Sequence, residues 1–145
     1  MYHLPPEERE LAFMEAIRVC KSGGLLAFAY INKIGVYAGA CVHDDEYYRK
    51  TYPNENANKF ILTRGTDDLK PDTFFFTTPE DMNITAEKYG LIKIKNLATD
   101  FFITMSIVNN MTEERFEIMR PLYDQMTSHE SCTGMSNHAL LVCRR

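Results

Sequence analysis

Few side chains in this sequence could do chemistry, and their spacing separates them into cases. His138 opens the apolar run Ala139-Leu140-Leu141-Val142-Cys143. An imidazole at the start of a strand lies near the end of a sheet, where it can serve as a general base; the alternative is a structural or exposed histidine. His43, Asp44 and Asp45 carry metal-ligand chemistry but are adjacent, and adjacent side chains rarely converge on one ion. A solvated loop is the reading there, and no metal is expected. The four cysteines, Cys20, Cys41, Cys132 and Cys143, include no C-x-x-C pair, and no histidine sits near two of them. Zinc is therefore not expected, and buried free thiols in a reduced, cytoplasmic setting are. No G-x-G-x-x-G loop is present: Gly35-x-x-x-Gly39 follows a strand with the wrong spacing.

These groups need elements to place them. A helix is expected over 6–21, with Pro6 at its first position, Glu7, Glu8 and Glu10 at its positive end, and Arg18 and Lys21 at the other. Its apolar face reads as Leu11, Met14, Ala16, Ile17 and Cys20. Ser22-Gly23-Gly24 stops it. The run Leu25-Leu26-Ala27-Phe28-Ala29-Tyr30-Ile31 has no polar alternation and reads as a strand covered on both faces. Residues 35–53 read as helical or irregular. Short strands are expected over 59–63 and 73–77, around a turn-rich segment. A second helix starts at Thr78, with Pro79 first and Asp81 third, and ends at Tyr89-Gly90. A strand over 91–96 alternates Ile92 and Ile94, and 101–108 is apolar, strand or helix. A third helix opens at Thr112, aligns Phe116, Met119, Tyr123 and Met126, and contains Pro121. A last strand covers 139–143.

This order of helices and strands is that of an α/β protein. With 145 residues, 45% hydrophobic and 25% charged, the chain is one domain with room for a core. A net charge of −4 argues against a general nucleic-acid binder. The longest apolar stretch, 23–31, is far short of the roughly 20 residues a spanning helix needs, and no secretory signal is legible at the N-terminus. No partnership with nucleic acid or membrane is expected.

Three stretches together resemble the class I S-adenosylmethionine-dependent methyltransferases. Tyr2-His3-Leu4, a charged helix and then Arg18-Val19-Cys20-Lys21-Ser22-Gly23-Gly24 are similar to that family's Tyr-His-Leu loop and its helix ending in Arg-Val-Leu-Lys-Pro-Gly-Gly, with Cys20 in place of Leu and Ser22 in place of Pro. Phe74-Phe75-Phe76-Thr77-Thr78-Pro79-Glu80-Asp81 is similar to its aromatic strand and Pro-Glu-Glu helix start, and Tyr89-Gly90-Leu91 to its Ala-Gly-Phe turn. Residues 134–142 are similar to its closing strand. The Gly-rich loop that cradles the cofactor, and the acidic residue that holds the ribose, have no counterpart.

The resemblance implies a single domain over 1–145, the C-terminal part of a Rossmann-like methyltransferase sheet carrying the fifth to seventh strands, with a small substrate-covering insert at about 35–77. It implies a methyl transfer from S-adenosylmethionine to a small molecule, by a chain inactive on its own. Tyr2, His3 and Leu4 would line the cofactor's methionine end. Tyr37, Phe60, Arg64 and Phe75, in the insert, would form an aromatic wall with one cation, suited to a planar or anionic substrate. His138 is the candidate base. A sheet lacking its first four strands would expose an edge and recruit a second copy, as a homodimer, or a complementing N-terminal half. The other reading is a non-enzymatic interaction or ligand-binding module that kept part of the fold.

Overall fold

Pro6 has no N–H to lose at a first helical position, and Glu7 and Glu8 face the positive end of the dipole. Helix α1 accordingly starts there and spans Pro6–Val19. In the computed structural model, which describes residues 1–42, 74–101 and 107–145, α1 is followed by β1 (Leu25–Asn32), α2 (Lys33–Val42), β2 (Phe76–Thr77), α3 (Pro79–Lys88), β3 (Ile92–Ala98), α4 (Glu113–Ser128), the short α5 (Glu130–Thr133) and β4 (His138–Arg144). Two glycines make the turns their neighbours could not: Gly23 and Gly90 have φ of 74° and 71°. At α3 the Thr78 hydroxyl accepts from the Asp81 N–H at 3.1 Å, so the capping expected from the sequence forms. Thr112 does the same for α4, accepting from Arg115 N.

The strands form one mixed sheet in the order β2-β1-β4-β3. β1 and β2 are parallel, and β4 runs antiparallel to both β1 and β3. Cross-strand partners put Phe28 opposite Leu141 and Tyr30 opposite Ala139. These four share one face, and against it pack Phe13 from α1 and Met82 and Ala86 from α3. Phe13 stacks on Phe28 with ring centroids 4.0 Å apart. All of these side chains are at most 5% exposed. By the usual 25 cal/mol per Å², each large one contributes about 2 kcal/mol.

Several expectations are corrected. β1 is covered on both faces only at its C-terminal end: Leu25, Ala27 and Ala29 are exposed and Ile31 on the same side is buried, because α1 and α3 take the Phe28–Tyr30 side while α4 packs at β3 instead. The buried face of α1 is Arg9 and Phe13, with Ala16 and Ile17 beside them; Leu11 and Met14 point to solvent. The Ile92 and Ile94 alternation also faces outward. A register shift between Lys93 and Lys95 breaks the pleat, and it is Asn96 and Ala98 that are buried. Of the three cysteines whose side chains are described, only Cys143 is a buried thiol; Cys20 and Cys132 are half-buried, and all three are free. Phe116, Met119, Tyr123 and Met126 do share the half-buried side of α4, and Pro121 lies inside it. The strand expected at 59–63, and Phe60, Arg64, His43, Asp44 and Asp45, lie outside the described residues, as do the side chains of Tyr37 and Cys41.

Candidate functional site

Three strands, β1, β2 and β3, end at one rim of the sheet, and β4 begins there. In open α/β sheets the carboxyl ends of the strands are where ligands bind. Antiparallel pairing of Ala98 with Ala139 brings the residues after β3 alongside the first residue of β4. Thr99 N extends the ladder to His138 O at 3.1 Å. The next residue, Asp100, then meets His138 at two points. Its Oδ1 accepts from the His138 backbone N–H at 2.8 Å, and its Oδ2 lies 2.6 Å from Nδ1. A carboxylate only accepts, so this contact calls for a proton on Nδ1, and in the neutral ring Nε2 then carries the lone pair. Both side chains are close to half exposed, 44% and 40%, and a ligand can reach them.

The residues before β4 hold the pair in place. Ser136 is fully buried. Its Oγ accepts from the N–H groups of Thr99 and Asp100, at 3.2 and 3.3 Å, and lies against the carbonyls of Asp100 (2.6 Å) and His138. Asn32, the last residue of β1 and fully buried, donates through Nδ2 to the carbonyls of Thr133, Gly134 and Ser136 at 3.3, 2.8 and 3.0 Å. Its Oδ1 accepts from Ile34 N at the start of α2. One amide thus ties the loop before β4 to the end of β1. Gly35 allows the same approach: a Cβ there would run into the Ser136 carbonyl.

Aromatic rings line the rim. The Tyr2 ring stands edge-on to His138, centroids 6.2 Å apart, and lies 4.7 Å from His3 and 5.9 Å from Phe74; His3 and Phe74 are 5.1 Å apart. Two backbone bonds put the N-terminal residues here. The Met1 ammonium donates to Ala29 O at 2.8 Å, and Phe75 N donates to Tyr2 O at 2.8 Å. Burial, with help from Arg9, lowers the affinity of the Met1 amine for its proton.

The structure therefore brings together three of the residues the sequence nominated, Tyr2, His3 and His138. Leu4 sits in the turn after them, its N–H bonded to Met1 O at 3.3 Å, and is half-buried. Phe75 is half-buried, and the ring that joins the rim is that of its neighbour Phe74. Consecutive residues of an extended segment face opposite ways. Asp100, Ser136 and Asn32 were not nominated. Asp100 is separated from His138 by 38 positions, and only the antiparallel register makes them neighbours.

The fold and rim define an α/β protein with a four-stranded mixed sheet and a histidine–aspartate pair at its strand ends. Compared with protein-family models and with curated proteins, the chain matches none. Among the described residues no group of three or more His, Cys, Asp or Glu side chains could hold a metal ion, and no helix is long and apolar enough to cross a membrane.

Proposed function

We propose that the chain is the C-terminal part of an S-adenosylmethionine-dependent methyltransferase that acts on a small molecule, with His138 as the proton acceptor. One observation carries this reading: the Asp100–His138 pair lies at the carboxyl rim of the sheet, beside the rings of Tyr2, His3 and Phe74. The cofactor supplies an electrophilic methyl group on a sulfonium. Aromatic faces attract such a cation, so Tyr2 and His3 suit its methionine end. An O–H or N–H acceptor must lose its proton as it is methylated, and His138 Nε2 is free to take it. Asp100 keeps the imidazole in the competent tautomer.

Other features bear on assembly and affinity. Among the described residues β2 pairs only with Ile31 and Asn32 of β1. Leu25, 63% exposed, and the backbone edge before Ala29 have no further strand beside them among the described residues. Such an edge favours a second copy or an N-terminal half with the cofactor cradle. Without that cradle the chain holds the adenosine end weakly.

The test is methyl transfer from tritiated S-adenosylmethionine to a panel of phenols, amines and carboxylic acids. It compares this chain alone with the chain fused behind a Gly-rich cofactor-binding half. Transfer by the fusion alone is expected, reduced about 100-fold or more in the His138→Gln fusion. No transfer by the fusion, or micromolar cofactor binding by the isolated chain in isothermal titration, overturns the reading. A non-enzymatic module would show binding of small molecules at the rim with no transfer in either form.

A further inference from the structure

The sheet has a second face, opposite Phe28 and Tyr30, and the end of it away from the His138 rim is bare. Residues directly opposite each other on paired strands share a face. Leu25, Arg144 and Ile92 therefore form one row across β1, β4 and β3, and Ala27, Val142 and Lys95 form the next. Leu25 is 63% and Ile92 66% exposed, Ala27 is exposed and Val142 is half-buried. An apolar sheet face is ordinarily closed by another layer, as α1 and α3 close the other one. Two cations stand in this bare face. Lys95 and Arg144 are exposed diagonal neighbours, a spacing on the order of 7–8 Å. Neither side chain has an ion-pair partner among the described residues. β1, β3 and β4 contain no acid, so the face is apolar and basic.

α1 carries the complement on the far side of the chain. Its Phe13 and Arg9 are buried, while Leu11 is 59% and Met14 44% exposed. Glu7 and Glu8 lie one turn before Leu11, are exposed, and also lack an ion-pair partner among the described residues. Further along the same outward side, Glu15 and Arg18 neutralise each other at 2.7 Å. Lys21 follows the end of the helix, at the opposite end from Glu7. The outward stripe of α1 is thus apolar in its middle and acidic at its start.

We infer that a second copy of the chain docks its α1 on the bare face, with Leu11 and Met14 against Leu25, Ala27 and Val142, and Glu7 and Glu8 against Arg144 and Lys95. Two unpaired acids meet two unpaired cations, and the small side chain of Ala27 lets a helix approach the strands. The two surfaces lie on opposite sides of one chain, because Phe13 holds α1 on the Phe28 side. The contact is therefore heterologous: it leaves one surface free at each end and propagates head to tail. It uses neither the open edge of β1 nor the His138 rim, and it stands whether or not the chain belongs to a methyltransferase.

The experiment is sedimentation velocity of the full chain from about 10 μM to about 1 mM. In about 50 mM NaCl the weight-average sedimentation coefficient should climb with concentration and pass the dimer value. In about 500 mM NaCl the association should weaken about tenfold. Two variants reverse one surface each: Lys95→Glu with Arg144→Glu, and Glu7→Lys with Glu8→Lys. Each alone should stay monomeric, since like charges then face each other. Mixed in equal amounts they should associate again, because each reversed surface meets its opposite on the other chain. All four substituted side chains are exposed, so the circular dichroism of both variants should match wild type. Leu11→Glu, also at an exposed position, should abolish association without touching the sheet face. A wild-type chain that stays monomeric throughout overturns the inference. So does association that persists in either charge variant alone, which would point to the β1 edge, or a mixture that stays monomeric.

Discussion

Asp100 grips His138 twice, once at the backbone N–H and once at Nδ1, with 2.8 and 2.6 Å contacts from the two oxygens of one carboxylate. The ring is therefore fixed in position by the same group that selects its tautomer. Two carboxylate contacts on one residue leave the imidazole little freedom, and Ser136 fixes the backbone on either side.

Asp100→Ala should release that tautomer. In wild type, long-range ¹H–¹⁵N spectra should show the His138 proton on Nδ1; in the variant the Nε2–H form should dominate. The loss of a charge-assisted contact should lower stability by about 1 kcal/mol in urea, since both groups are partly solvated. An unchanged tautomer would show that Asp100 does not select it; Asn137, whose amide nitrogen is 2.8 Å from the same ring nitrogen, can only donate there and favours the Nε2–H form once the carboxylate is gone.

Gly35→Ala should be costly. The added methyl meets the backbone carbonyl of Ser136, which cannot step aside without moving the loop before β4. A loss of about 2 kcal/mol or more is expected from denaturant unfolding. Gly134→Ala, in the same loop but with open space around it, is the control and should be near neutral. Equal effects of the two would mean that α2 does not pack against this loop in solution.

Asn32→Ala should expose the cost of three carbonyls losing a shared donor, about 2–3 kcal/mol. Asn32→Asp should be worse at neutral pH. A carboxylate there cannot donate, and it would be buried among the oxygens of Thr133, Gly134 and Ser136. Its stability should recover as the pH is lowered and the acid is protonated. If Asn32→Asp were the milder of the two at pH 7, the amide would not be the tie described.

Tyr30 predicts the alkaline limb of the stability curve. Burial raises its hydroxyl pKa well above the ordinary value near 10, against the pull of its hydrogen bond to Asn96 Oδ1 at 2.8 Å. A folded-state pKa above the unfolded one means the stabilisation is complete below pH about 10. It fades as the pH rises toward the folded value, because only the unfolded chain ionises. Tyr30→Phe should start less stable, with Asn96 missing a donor, and should lose that slope. Parallel curves for the two chains between pH 9 and 11 would contradict the assignment.

Local chemistry was legible in the residues themselves. Pro6 and the acids behind it start α1, Thr78-Pro79-Glu80-Asp81 starts α3, Gly23 and Gly90 end helices, and the run from His138 is a strand. Each depends on neighbours within a turn or two, and short-range sterics and capping decide them. The same is true of the nomination of His138, which rests on its place at the head of a strand. What the chain order could not reveal was which strand lies beside which. β4, last in sequence, pairs with both β1 and β3. That pairing alone sets Asp100 against His138 and Asn32 against residues 133–136. It also decides which faces are covered, so Phe13 and Arg9 go inward while Leu11, Ile92 and Leu25 stay out. Apolar composition states that a side chain can be buried; only the position of its neighbours across the sheet, and a one-residue bulge in β3, determine that it is.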